Sequence, residues 1–301
     1  MKNPKIIRGL LSLAICVLVS ATVVAQNVMD PTHVAKTKTV GSVYIAPDGK
    51  TVAYTLSAPA DPFKENALAQ THLYLLDVAT GTTKPFVTGM SVANVTFRPG
   101  HNSITFLARK DGDATRAIYE ISLTGGEAQK LFEFSTNISG YEWGSNGSHI
   151  VFRAAQPAEK AASSLPYEPE IYEENLTNTW AYMQNVTQEG HMPHRIEIDG
   201  NVSAVHWSPD LTKVVVALSP TSLVDDFYMA QEIFVIDHET HEIVTQVEHK
   251  GKLGAITWSP DSKRLAMIAA ANLNDPIDGR LKIVDAATGK STYPLLDFEG
   301  K

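Results

Sequence analysis

Residues 172–175 read Tyr-Glu-Glu-Asn, and the adjacent carboxylates of Glu173 and Glu174 form the pair best suited to gripping a cation. Two neighbouring acids can pair with one ammonium group and accept hydrogen bonds from it. The same letters also describe a solvated acidic turn on a helix. His191-Met192-Pro193-His194 and His238-Glu239-Thr240-His241 both have the His-x-x-His spacing found in zinc sites. Such a site needs a third and usually a fourth ligand in a defined place. The second pair falls in a hairpin turn, where exposed polar residues are ordinary. Residues 272–279 (Asn-Leu-Asn-Asp-Pro-Ile-Asp-Gly) are rich in oxygen but lack the alternating ligands of a calcium loop, and read as an inter-strand connection. No metal and no cofactor is expected. A serine nucleophile elbow, Gly-x-Ser-x-Gly, does not occur. Gly89-Met90-Ser91-Val92-Ala93 comes near it, lacks the final glycine and precedes a strand, so no catalytic residue is assigned.

The elements that must position these residues repeat. Five times an apolar strand ends in a tight turn and a second strand follows: at Ile45-Ala46-Pro47-Asp48-Gly49, Phe97-Arg98-Pro99-Gly100, Trp143-Gly144-Ser145-Asn146-Gly147, Trp207-Ser208-Pro209-Asp210 and Trp258-Ser259-Pro260-Asp261. The turns are 52, 46, 64 and 51 residues apart. Proline presets φ and Asp or Asn accepts local backbone hydrogen bonds. The strands that follow, such as Val214-Val215-Val216-Ala217, are near-continuous apolar runs, as expected where neighbours cover both faces. Each unit then adds a hairpin, with Asp at a strand end before the turn, as at Asp77, Asp237 and Asp285. Two hairpins per period near fifty predict an all-β chain, a β-propeller of about five four-stranded blades. Trp143, Trp207 and Trp258 recur once per blade as packing positions.

One unit is longer. Its 64-residue interval implies an insertion at about 155–194, rich in Pro, Glu and Asn. Within it Tyr172, Leu176, Trp180, Met183 and Val186 recur at helical spacing, predicting an amphipathic helix or long hairpin. Long insertions are disproportionately functional.

The first 25 residues stand apart. Lys2, Lys5 and Arg8 precede an apolar run from Leu10 to Val19, and Val23-Val24-Ala25 offers a cleavage site. These are the parts of a secretory signal peptide cleaved near Ala25, and the run is short for a spanning helix. A linker over 26–39 and the propeller over 40–301 follow. The mature chain is thus expected in a bacterial periplasm or secreted, with no membrane attachment. It would carry 22 basic against 33 acidic side chains and no cysteine. Without disulfides, stability must come from core burial. The acidic balance argues against nucleic acid, whose phosphates need basic patches.

The Ser-Pro-Asp turns after Trp207 and Trp258, the Asp-x-x-Thr-Gly hairpins at Asp77 and Asp285, the exported start and the extended third unit together resemble a prolyl oligopeptidase family serine peptidase. The acylaminoacyl-peptidase and dipeptidyl-peptidase branches are the nearest. The resemblance covers about Val40 to Lys301, and Tol-type periplasmic propellers use the same turn. It implies that a seven- or eight-bladed propeller caps an α/β-hydrolase domain and that peptides reach the active site between the two. Relative to that ring, five blades predict an open, incomplete one, and the missing elbow predicts a chain without hydrolytic activity of its own. In the dipeptidyl branch an adjacent Glu pair on a propeller insertion holds the substrate's free amine, which would be the role of Glu173 and Glu174. Partners under this reading are peptide substrates reaching an absent hydrolase domain. The alternative is a non-enzymatic, Tol-like periplasmic propeller that binds another protein.

Overall fold

Alternation between two covered faces determines how the strands assemble. The computed structural model describes residues 29–61, 63–157, 173, 176–275, 277 and 279–295. Of the described residues 47% are strand and 4% helix, so the described chain is nearly all-β. Its strands form five antiparallel four-stranded sheets, each made of strands consecutive in sequence. Sheet 1 holds β1 (Thr39–Ile45), β2 (Thr51–Ala58), β3 (Gln70–Asp77) and β4 (Thr83–Val87). Sheet 2 holds β5 (Ala93–Phe97), β6 (Ser103–Ala108), β7 (Ala117–Ser122) and β8 (Gln129–Phe132). Sheet 3 holds β9 (Ile138–Trp143), β10 (His149–Ala155), β11 (Thr179–Asn185) and β12 (His194–Arg195). Sheet 4 holds β13 (Asn201–Trp207), β14 (Lys213–Ser219), β15 (Glu232–Asp237) and β16 (Ile243–Val247). Sheet 5 holds β17 (Leu253–Trp258), β18 (Arg264–Ala269), β19 (Arg280–Asp285) and β20 (Ser291–Thr292). These are the blades the repeat predicts.

Chain contacts divide the molecule into two units, Met1–Thr39 with Ser57–Gln70, and Val40–Leu56 with Thr71–Lys301. The first contains a short helix α1 (Pro31–Ala35), capped where the Asp30 side chain accepts the His33 N–H at 2.9 Å. The second contains most of the sheet residues and a helix α2 (Val224–Met229) between β14 and β15.

Four buried clusters join successive sheets. In β14, Val214, Val216 and Leu218 pack toward sheet 3, whereas Val215 and Ala217 pack toward sheet 5. In β10, Ile150, Phe152 and Ala154 face sheet 2 and Val151 faces sheet 4. In β6, Ile104, Phe106 and Ala108 face sheet 1 and Leu107 faces sheet 3. This two-sided burial accounts for the unbroken apolar runs, because successive strand side chains point to opposite faces. Trp143, Trp207 and Trp258 are buried in the clusters of sheets 2 and 3, 3 and 4, and 4 and 5 respectively. Among the described residues no buried cluster joins sheet 5 to sheet 1.

The turns lock the seams from one end. Arg98 Nε donates to Gly147 O at 2.8 Å, Ser145 Oγ to Pro209 O at 2.9 Å, and Asp210 N to Ser262 Oγ at 3.0 Å, so the turns of sheets 2 to 5 are tied in succession. Gly147 has φ +66, and a Cβ there would lie 2.0 Å from Pro99 O, so no other residue fits this approach. Burial pushes the Asp210 carboxyl up. Hydrogen bonds from Ser208, Thr212 and Ser262 outweigh that and hold it at about 2.

For the interval 155–194 the sequence leaves an amphipathic helix or a long hairpin open, and the described residues show the hairpin: Thr179–Asn185 is the third strand of sheet 3, antiparallel to β10. Ala181 and Met183 face sheet 4 while Tyr182 faces sheet 2, a period of two that scattered apolar residues had imitated at helical spacing. The fourth strand of sheet 3 is short, His194–Arg195.

Thr105, fully buried on β6, accepts from both Tyr141 Oη and Trp143 Nε1 of sheet 3 at 2.8 Å. Thr105→Val strands two buried donors and is expected to cost roughly 2–4 kcal/mol. Chemical denaturation should show a lower midpoint with unchanged slope, and Thr105→Ser should restore it.

Candidate functional site

The two His-x-x-His motifs, far apart in sequence, meet at the seam between sheets 3 and 4. His194 opens β12, and His238 and His241 lie in the β15–β16 turn. Asp237 fixes that turn by accepting from Glu239 N and Thr240 N, each at 2.9 Å. His241 takes the left-handed φ of +61. The rings of His194 and His241 then lie with centroids 3.8 Å apart, tilted by 34°. His238 sits 6.0 Å from the His149 ring, 6.5 Å from His241 and edge-on to Trp207 at 4.8 Å. Its Nδ1 lies 3.4 Å from Met183 Sδ. His191 completes the group through Gln184, whose Oε1 is 3.2 Å from His191 Nδ1 and whose Nε2 donates to His191 O at 2.9 Å.

Hydrogen bonds fix how His149 is protonated. Asn146 Oδ1 accepts from Ser148 N and His149 N, so its Nδ2 is the group that donates to His149 Nδ1 at 2.9 Å. That nitrogen is an acceptor and the imidazole is neutral. His194 Nε2 is buried without a partner. Beside these, the Arg195 guanidinium stacks on Trp180 at 3.8 Å and pairs with Glu197 at 2.9 Å.

Protonation is disfavoured at His149, His194 and His238. Burial, then the neighbouring His191, pushes His149 below its ordinary value. Burial and then His241 does the same to His194, with Glu197 opposing. Burial, His149 and His241 lower His238 against Asp237 and Glu239. The arrangement can hold stacked neutral imidazoles but resists adjacent imidazolium ions. Among the described residues no group of three or more His, Cys, Asp or Glu is arranged to hold a metal ion.

The other sequence candidates fare differently. Glu173 lies in a turn, exposed, with φ +58. Glu174 lies outside the described residues. Ser91 Oγ accepts the Thr71 N–H at 2.9 Å, a structural bond at the start of sheet 2. In the 272–279 segment, Asp275 accepts from Ala271 N at 2.9 Å and Ile277 N at 3.3 Å, the work of an inter-strand loop. Sequence reasoning treated the histidine pairs singly and missed their meeting, although their places at the ends of adjacent blades' hairpins were the available signal. It also missed Arg153, whose guanidinium bonds to Ser203 O and whose pKa is lowered by burial.

Comparison with known proteins places the fold. No protein-family model and no curated protein matches the chain. Among solved structures it is similar to uncomplexed acylaminoacyl peptidase from Pyrococcus horikoshii, with TM-score 0.63 and 13% identity over 90% of this chain and 41% of that one. A prolyl endopeptidase matches with TM-score 0.56 and 13% identity over 86% and 37%. A TolB-type protein from Agrobacterium tumefaciens matches with TM-score 0.53 and 14% identity over 85% and 80%. The fold is that of the propeller part of such peptidases, and the chain spans about two fifths of their length. Among the described residues no helix is long and apolar enough to cross a membrane.

The histidine group makes stability depend on pH with a definite sign. The folded values lie below the unfolded 6.5, so the unfolded chain takes up protons first. The contribution is complete above about pH 6.5 and is lost as pH falls below it. His249, also lowered, acts in the same direction. The melting temperature should therefore fall between about pH 6.5 and 5, before the carboxylates titrate. A His194→Gln, His238→Gln double variant should flatten that part of the profile; an unchanged slope would count against the cluster.

Proposed function

We propose that the chain is the substrate-gating propeller part of an exported prolyl-oligopeptidase-like serine peptidase. It would act with a serine-hydrolase domain that these 301 residues do not contain. The observation that carries this reading is the asymmetric match: nine tenths of this chain against about two fifths of an acylaminoacyl peptidase. Two further facts support it. The sequence has no Gly-x-Ser-x-Gly. The outer faces of the first and last sheets, with half-buried Val52, Tyr54 and Leu56 on β2 and with Ala266 and exposed Ile268 on β18, are apolar like the faces covered elsewhere. Further sheets would cover them. In this reading the propeller admits and orients short peptides, and Glu173 with Glu174 holds the free amine.

The match to a TolB-type protein over 80% of its length favours a second reading, a non-catalytic periplasmic propeller that binds a protein partner. It requires these residues alone to form a stable soluble monomer, without the association that uncovered sheet edges invite.

The coding region following Lys301 discriminates the two. The first reading predicts a downstream Gly-x-Ser-x-Gly followed by Asp and His. The extended chain should cleave dipeptidyl or acyl-aminoacyl anilides, with the 301-residue chain inert. A downstream region without the nucleophile, together with a soluble monomeric 301-residue chain, would overturn it in favour of the second.

A further inference from the structure

A cavity of about 280 Å³ opens at the seam between sheets 4 and 5, lined by Glu248, His249, Lys250, Asn272, Lys282, Ser291 and their neighbours. It is built by close backbone approach. Gly251, with φ +87, passes so near Asn272 that a Cβ would lie 2.7 Å from that residue's carbonyl oxygen. Lys252 O also accepts the Ala270 N–H at 2.8 Å. The loop after β16 is thereby held against the loop after β18.

Two polar groups in this cavity lack a hydrogen-bond partner, and a third, the Lys282 ammonium, adds a buried charge. His249 Nε2 lies 2.9 Å from Gly251 O. A carbonyl only accepts, so Nε2 carries the hydrogen and the neutral ring presents Nδ1 as a lone pair. Among the described residues that Nδ1 is buried with no hydrogen-bond partner, and so is Ser291 Oγ on the facing strand. Lys282, 3% exposed, carries its ammonium 5.5 Å from the Tyr293 ring, and no carboxylate among the described residues forms an ion pair with it. Burial, and then the Lys282 charge, keep His249 below its ordinary value against the Gly251 bond. Buried polar groups are normally satisfied, and a cavity lined by two unsatisfied ones beside a buried ammonium fits a ligand that supplies what each lacks.

We propose that this cavity binds a small hydroxylated carboxylate, whose carboxylate meets the Lys282 ammonium and Ser291 Oγ and whose hydroxyl donates to His249 Nδ1. The charge requirement comes from the buried lysine. The hydroxyl requirement comes from a ring nitrogen that can only accept. The site is independent of any peptidase chemistry and does not use Glu173 or Glu174.

Calorimetric titration of the full chain with gluconate tests this, with acetate (charge without hydroxyls) and sorbitol (hydroxyls without charge) as comparisons. Gluconate should bind saturably at one site, roughly tenfold or more tighter than either comparison. Lys282→Met should weaken it by roughly tenfold or more, and His249→Phe and Ser291→Ala by less. Ser291→Ala removes one atom at a strand end, which keeps the test informative should Lys282→Met fail to fold. Absence of saturable gluconate binding would overturn the proposal. So would binding that survives both Lys282→Met and Ser291→Ala, or acetate binding as tight as gluconate.

Discussion

Burial of the second strand of each inner sheet on both faces is the constraint on which the molecule depends. Val214, Val216 and Leu218 are covered by sheet 3 and Val215 and Ala217 by sheet 5, so β14 can exist only between neighbours. At roughly 25 cal/mol per Å² of apolar surface removed from water, each such strand is worth many times any single polar contact in the fold. The tryptophans closing the first strands fill the same clusters, and the chain of turn-to-turn hydrogen bonds from Arg98 to Ser262 sets the spacing at one end. A sheet lacking a neighbour keeps one apolar face in water, as β18 does at Ile268.

Function follows the seams. Packing sheet against sheet leaves hairpin ends and loops of different blades in contact, and there the chain gathers groups that its sequence scatters. His149 and His194 from sheet 3 meet His238 and His241 from sheet 4. His249 after β16 meets Lys282 and Ser291 of sheet 5 around a cavity. In both places imidazoles are held neutral by burial first and neighbouring charge second. The difference lies in what surrounds them. The first group is packed ring to ring and edge-on to Trp207, whereas the second lines open space.

Much of the fold was legible because its signals are local and repeated. Pro, Asp and Gly mark each turn, and apolar runs bounded by those turns can only be strands with two covered faces. Where repetition failed, the reading stayed open between a helix and a long hairpin. Trp180 and Met183 stand three residues apart within β11, and their alternation could not be told from a helical face without knowing that sheets 2 and 4 lie on either side. The sites were less legible than the fold. His194 and His241 are 47 positions apart, and their stacking depends on the register of β11 with β12 and on the left-handed turn at His241. Nothing about Ser291 or Lys282 taken alone suggests a cavity; only the approach of Gly251 to Asn272 creates it.

Residue-resolved hydrogen exchange on the native chain measures whether two-sided coverage organises the sheets. Amides of β6, β10 and β14 should exchange at the slowest rates, by global unfolding, while those of β2 and β18, each covered on one face, should exchange through faster local opening. Equal protection in β14 and β18, or faster exchange in β14, would contradict the account.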